Sequence, residues 1–92
     1  MMDLNRRLRR KTDYRLEAMD GELLLYHPGE TKALYCNQTA SLVWQLCDGA
    51  RTAAEIIALL AEAYPEARDE IATQVQETLQ EFQAHGVIEQ DA

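Results

Sequence analysis

Hydrophobic and polar residues alternate through the first third of the chain with the two-residue period of half-buried strands. Alternation over residues 14–18 predicts a first strand, and the following Asp20-Gly21 favours a tight hairpin turn. Residues 22–27 are predicted to return as a second strand, which Pro28-Gly29 ends because proline cannot continue a ladder of hydrogen bonds. A third short strand is predicted over residues 32–36. The pattern therefore indicates a three-stranded antiparallel meander.

The apolar period then lengthens to that of an amphipathic helix. Asn37 is suited to cap the start of a first helix, and apolar residues follow at helical spacing over residues 40–47. Gly49 suits the left-handed position after a helix, so the first helix is expected to end there. Thr52 and Glu55 match the capping box of a second helix. The link between the two helices is short enough to predict a helix-turn-helix corner.

The second helix is predicted to end at Tyr64-Pro65, because a residue before proline is disfavoured in the helical conformation. A third helix is expected to begin near Arg68 or Asp69 and to run to about His85. One face of this helix is lined by Ile71, Val75, Leu79 and Phe82. Val87-Ile88 then follows as a short apolar segment, which we expect to return to the core.

The predicted order βββααα indicates an α+β domain with a winged-helix-like architecture. In it, a three-stranded antiparallel N-terminal sheet packs on a three-helix bundle. The chain has 92 residues, which allows one domain, and we expect residues 13–90 to form it. Residues 1–12 lack a sustained apolar period and are interpreted as a flexible basic arm.

The net charge of −7 is unevenly distributed along the chain. Residues 1–15 hold six basic and two acidic side chains, whereas residues 16–92 hold three basic and fourteen acidic ones. An acidic body repels phosphate, so we expect no nucleic-acid partner. No apolar run approaches the roughly 20 residues of a membrane span, and the basic start has no apolar segment of a signal peptide behind it. We therefore expect a cytoplasmic protein without a membrane partner.

No motif of a hydrolase, metalloprotease, dinucleotide site or P-loop is present, so we expect a binding or scaffold protein and no enzyme. Cys36 and Cys47 are too far apart for a CxxC motif, and His27 and His85 are distant from them in sequence. We predict buried, reduced thiols and no metal or cofactor. Trp44 lies on the apolar stripe of the first helix and is predicted to belong to the core.

The third predicted strand is an edge of the meander, and Lys32 is its single charged residue. A short edge with little charge is poorly protected against pairing, and it offers a general way to hold an extended peptide. The residues alone leave open whether a peptide, the basic arm or a second copy of the chain covers this edge.

Four segments give the chain a resemblance to a known family. They are residues 25–28 (LYHP), 35–40 (YCNQTA), 44–52 (WQLCDGART) and 55–56 (EI). The third segment is the most specific, since it is similar to the signature W-x-L-C-D-G-x-x-T. In order and spacing these segments resemble the PqqD family, named for pyrroloquinoline quinone (PQQ) biosynthesis, over about two-thirds of the chain.

The resemblance implies a recognition element for ribosomally synthesised, modified peptides (a RiPP recognition element). Such a protein is a non-catalytic peptide chaperone. It binds the leader segment of a precursor peptide by strand addition and presents it to a radical S-adenosylmethionine (SAM) enzyme or another peptide-modifying enzyme. The pathway would be PQQ biosynthesis or a related one, and some members of the family form swapped dimers, so we expect a homodimer here.

Carried onto this sequence, the resemblance places the peptide along the third strand and against the third helix. The implied peptide-binding residues are Lys32, Ala33, Leu34, Tyr35, Cys36, Ile71, Gln74, Val75 and Thr78. Two alternatives remain open at this stage. One is a winged-helix nucleic-acid-binding protein that uses the arm as a clamp, and the other is a plain dimerisation module that pairs strand edges.

Overall fold

The computed structural model describes residues 4–19, 22–29 and 33–90. The strands in these ranges are β1 (Arg7–Arg10), β2 (Arg15–Met19), β3 (Glu22–Tyr26), β4 (Ala33–Cys36), β5 (Asp48–Thr52) and β6 (Ile88–Gln90). The helices are α1 (Gln38–Leu46), α2 (Ala53–Ala63) and α3 (Arg68–Ala84), with a 3-10 turn at Pro65–Ala67 before α3. The predicted α+β fold, with a three-stranded sheet ahead of three helices, is confirmed.

Strands β2, β3 and β4 form the predicted antiparallel meander in that order. Leu16, Leu25 and Leu34 stand opposite one another across the three strands and pack into the core. Because side chains alternate between the faces of a sheet, the neighbouring row points the other way. This second row consists of Glu17, Leu24 and Tyr35.

The predicted helix caps are present. Asn37 accepts a hydrogen bond from the backbone N–H of Ala40 at 2.7 Å, which satisfies one of the free donors at the start of α1. Thr52 and Glu55 form the predicted capping box at the start of α2. Gly49 has a φ of +85°, a conformation that L side chains rarely adopt, but α1 ends at Leu46 with Cys47 as its C-cap, so Gly49 lies within β5 and not at the predicted position directly after the helix. Local sequence therefore sets the start of both helices.

A second antiparallel sheet, in the order β5-β1-β6, corrects two predictions. Residues 7–10 were expected in a flexible arm, but they form the central strand, and the Leu8 side chain in it is 0% exposed. The link after α1 is predicted to be a helix-turn-helix corner, but Asp48–Thr52 is an edge strand of this sheet. Both strands are too short for a clear period in sequence, and only their distant partners define them. Residues 1–3 of the predicted arm lie outside the described residues.

The core lies between the two sheets and the three helices. Its largest fully buried side chains are Leu8, Leu25, Ile56, Leu79, Val43, Val75, Val87 and Cys47. Cys36 and Cys47 are buried free thiols, as predicted, and burial raises the pKa of Cys47 to about 12. Val87 and Ile88 return to the core, also as predicted.

Trp44 is half-buried and packs against the core, with the guanidinium carbon of Arg10 at 5.3 Å from its ring centroid. This distance lies within the range of a cation–π contact, so α1 and β1 are tied together through the two side chains. In the described part of the chain, no helix combines the length and apolar character needed to cross a membrane.

Leu8→Ala is expected to lower the free energy of unfolding by about 2–5 kcal/mol, because it removes a fully buried side chain from the central strand of the second sheet. Urea denaturation followed by circular dichroism measures this change. Leu59→Ala, at a side chain that is 44% exposed, is the matched control and should stay within about 0.5 kcal/mol of the unsubstituted protein. Equal midpoints for the two variants would contradict the placement of β1 in the core.

Candidate peptide-binding site

Strand β4 has one open edge. It pairs with β3 on one side, and no other described strand is bonded to it. Leu34 and Cys36 point into the molecule, whereas Ala33 and Tyr35 are exposed. Lys32, the first residue of the predicted edge, lies outside the described residues. An edge of this kind presents unpaired backbone N–H and C=O groups to which an extended chain can bond.

A groove lies between the start of α1 and helix α3. Its volume is about 310 Å³, and it is lined by Asn37, Thr39, Gln74, Glu77, Thr78 and Glu81. Asn37 directly follows the last residue of β4, so the groove begins where the strand ends. The pKa of Cys36 is raised by burial and, to a smaller extent, by the negative charge of Glu81. The charge of Glu81, on the wall of the groove, therefore acts on Cys36, the last residue of β4.

The predicted residues of α3 divide into two groups. Gln74 is exposed, Thr78 is half-buried, and both line the groove. Ile71 and Val75 are 9% and 0% exposed and belong to the hydrophobic core. These two residues support the wall of the groove from within. Their direct contact with a peptide stays a prediction.

Two groove residues, Glu77 and Glu81, are absent from the predicted peptide-binding residues. A signal for them exists, since Gln74, Glu77, Thr78 and Glu81 have the spacing i, i+3, i+4, i+7. This is a polar stripe on one side of a helix whose other side is apolar. It is informative only once another element is known to lie opposite, and that element is the start of α1.

The groove is polar and acidic. Two carboxylates line it, and its described lining contains no Lys or Arg. Like charges on one wall attract a cation and repel an anion, especially where part of the surrounding water is excluded. The groove therefore favours neutral or basic side chains in whatever binds there.

Three carboxyl groups outside the groove have lowered pKa values, and in each case the largest cause is a hydrogen bond within the fold. The pKa of Asp48 is lowered chiefly by the backbone N–H of Ala50, and that of Glu55 by the backbone N–H of Thr52. Hydrogen bonding from the Arg9 guanidinium lowers the pKa of Glu89. Over the described ranges, no group of three or more His, Cys, Asp or Glu residues is placed to hold a metal ion.

The family described as Coenzyme PQQ synthesis protein D (PqqD) matches residues 22–88. Two curated proteins, from Klebsiella pneumoniae strain 342 and from Klebsiella pneumoniae, are each named PqqA binding protein. Each is 42% identical to this chain over 57 residues, which cover 59% of this chain and 59% of the relative. The match thus spans about three-fifths of the length of these relatives.

No solved structure matches the chain. The family match runs from the start of β3 to the start of β6 and includes the open edge of β4, all three helices and the groove. It covers well over half of the chain. The chain therefore belongs to the PqqD family.

Proposed function

We propose that this protein binds the leader segment of a ribosomally made precursor peptide and catalyses no reaction itself. The observation that carries the proposal is the open edge of β4 leading into the groove beside α3. The two relatives named PqqA binding protein support a precursor peptide as the ligand. PqqA is therefore the first peptide to test.

Strand addition explains how one short edge holds a peptide. The four residues of β4 span about 13 Å at the usual rise of a strand, and their outward N–H and C=O groups bond the peptide backbone. Hydrogen bonds to the peptide backbone do not depend on the side chains, so they provide affinity for peptides of many sequences. Side chains on one face of the peptide then point towards the core side of the sheet, where the groove selects among them.

The acidic groove adds a charge preference. Glu77 and Glu81 stand on the wall that these peptide side chains approach. We therefore propose a leader segment that is neutral or basic at the positions facing α3. A peptide with acidic residues there would bring like charges together and bind more weakly.

We further propose that the protein presents the bound peptide to a radical SAM enzyme or another peptide-modifying enzyme, in PQQ biosynthesis or a related pathway. This part of the proposal rests on membership of the PqqD family. Strand addition suits such a role, because it holds one segment of a peptide and leaves the remainder free for another protein.

A nucleic-acid-binding function is disfavoured by the same helix. In a winged-helix protein, a helix of the bundle approaches the phosphate backbone, and its exposed face is usually basic. After Arg68, helix α3 has no Lys or Arg, and its exposed residues include Glu70, Glu77 and Glu81. This surface repels phosphate and suits a peptide instead.

Titration of the ¹⁵N-labelled protein with synthetic Klebsiella pneumoniae PqqA peptide tests the location of the site. We expect amide shifts to change in residues 33–36 and 74–81. Residues 15–19 form the opposite edge of the same sheet and serve as the internal control, where no change is expected. An absence of change in both predicted segments, or a change confined to residues 15–19, would contradict the proposal.

A proline scan tests strand addition itself. Leu34→Pro removes a backbone N–H or places the proline ring against the ladder of hydrogen bonds. We therefore expect it to weaken PqqA binding by about 0.5–1.5 kcal/mol, the contribution of one hydrogen bond. Leu34→Ala should have a smaller effect. Calorimetric titration measures the affinities, and circular dichroism verifies that each variant is folded.

Leu16→Pro is the matched control for the proline variant. Leu16 lies in the same inward-facing row as Leu34, but on the opposite edge strand of the sheet. The two proline variants should lose similar stability, and only Leu34→Pro should lose peptide affinity beyond that. Equal affinities would mean that the β4 edge is not the site. Light scattering at micromolar concentration reports in parallel whether a second copy of the chain pairs with this edge.

The charge preference is tested with PqqA peptides that carry lysine or glutamate at each position in turn. At positions facing α3, the lysine peptide should bind more tightly, by about 0.2–1 kcal/mol for each carboxylate it approaches. This difference should disappear in the double variant Glu77→Gln, Glu81→Gln. It should persist in the control Glu62→Gln, Glu66→Gln, whose carboxylates are exposed and outside the groove. A difference that survives in both variants would assign the preference to another surface.

A further inference from the structure

The outward face of β4 carries an aromatic ring. Tyr35 is the most exposed large hydrophobic side chain of the described residues, with 77% of its surface accessible. It stands directly opposite Leu24 of β3, and its row continues to Glu17 of β2. The ring therefore occupies the last position of a row that ends at the open edge.

We propose that Tyr35 is a specificity-determining residue, which contacts an aromatic or β-branched side chain on the outward face of the bound peptide. The inference rests on the proposed function, since it requires a peptide strand at the β4 edge. The peptide would then be recognised on both faces. Its inward side chains meet the groove beside α3, and one outward side chain meets the Tyr35 ring.

Strand geometry brings the two side chains together. A residue of an added strand directly opposite Tyr35 must point to the same side of the sheet, with the two Cβ atoms about 4.5–5.5 Å apart. That side faces away from the core, because the adjacent Leu34 and Cys36 point inwards. Helix α3 lies on the other side of the sheet, and among the described residues Tyr35 and its own row supply surface on this side.

The neighbouring aromatic residue on the same face is already engaged. The hydroxyl of Tyr26 donates a hydrogen bond to Oε1 of Glu17 at 3.0 Å, which holds that ring across β3 and β2. The Tyr35 side chain makes no hydrogen bond or ring contact within the described part of the chain. Covering an exposed ring with an apolar side chain removes both from water, and aromatic pairs gain additional energy from their geometry.

The test measures binding of fluorescently labelled Klebsiella pneumoniae PqqA peptide, together with PqqA variants carrying alanine at each position in turn. Tyr35→Ala should weaken binding about two- to tenfold, the range expected for one aromatic contact. Tyr35→Phe should retain affinity, because the ring and not the hydroxyl makes the contact. Tyr64→Ala is the control, since Tyr64 is also exposed, at 43%, but follows α2, away from the edge.

The peptide variants identify the contact. One alanine position should weaken binding to the unsubstituted protein and have little further effect in Tyr35→Ala, and the positions directly before and after it should show no such coupling. Affinity of Tyr35→Ala within twofold of the unsubstituted protein, or a loss that is equal for every peptide variant, would overturn the inference.

The proposed function is judged separately by Leu34→Pro. If this variant loses binding and Tyr35→Ala does not, the peptide occupies the edge and the inference about Tyr35 fails alone. If the unsubstituted protein does not bind PqqA, the proposed function fails and the inference fails with it. If Tyr35→Ala changes only the capture of a partner enzyme by the loaded complex, the ring belongs to a protein interface and the inference is overturned.

Discussion

The site depends on the burial of two side chains beneath β4. Leu34 packs against the hydrophobic core and Cys36 is part of it, and the two-residue period of a strand then directs Ala33 and Tyr35 outwards. With the strand held by its inward residues and by β3, its other edge is left open. Asn37 directly follows β4 and caps α1. The buried residues of β4 therefore also fix the position of the start of α1, which forms one wall of the groove.

The charged residues of β1 and those of the groove have different surroundings. Arg9 of β1 lies 2.8 Å from Glu89, an acid contributed by a distant segment. The carboxylates of Glu77 and Glu81 instead line an open groove without a described cation beside them. Such a surface discriminates against acidic ligands even where backbone bonding tolerates many sequences.

Much of the fold follows from local pattern. The meander, the three helices and the caps at Asn37 and Thr52 were predicted, because alternation, helical spacing and capping residues act over a few positions. The second sheet was not predicted. Strand β1 contains one apolar residue, and its partners β5 and β6 are roughly 40 and 80 residues away in sequence. A strand of this kind is defined by partners that no local period reveals.

The candidate site likewise has parts that local sequence predicts and parts that depend on tertiary packing. Local patterns in the sequence predict an edge strand with little charge, a capped helix after it and a long helix with one polar side. Packing between distant elements places Gln74 and Thr78 in a groove together with Glu77 and Glu81, and it buries Val75 in the core. The reason is physical. Periodicity identifies which residues share a face of a helix. The element packed opposite decides which of these residues are buried and which remain accessible to a ligand.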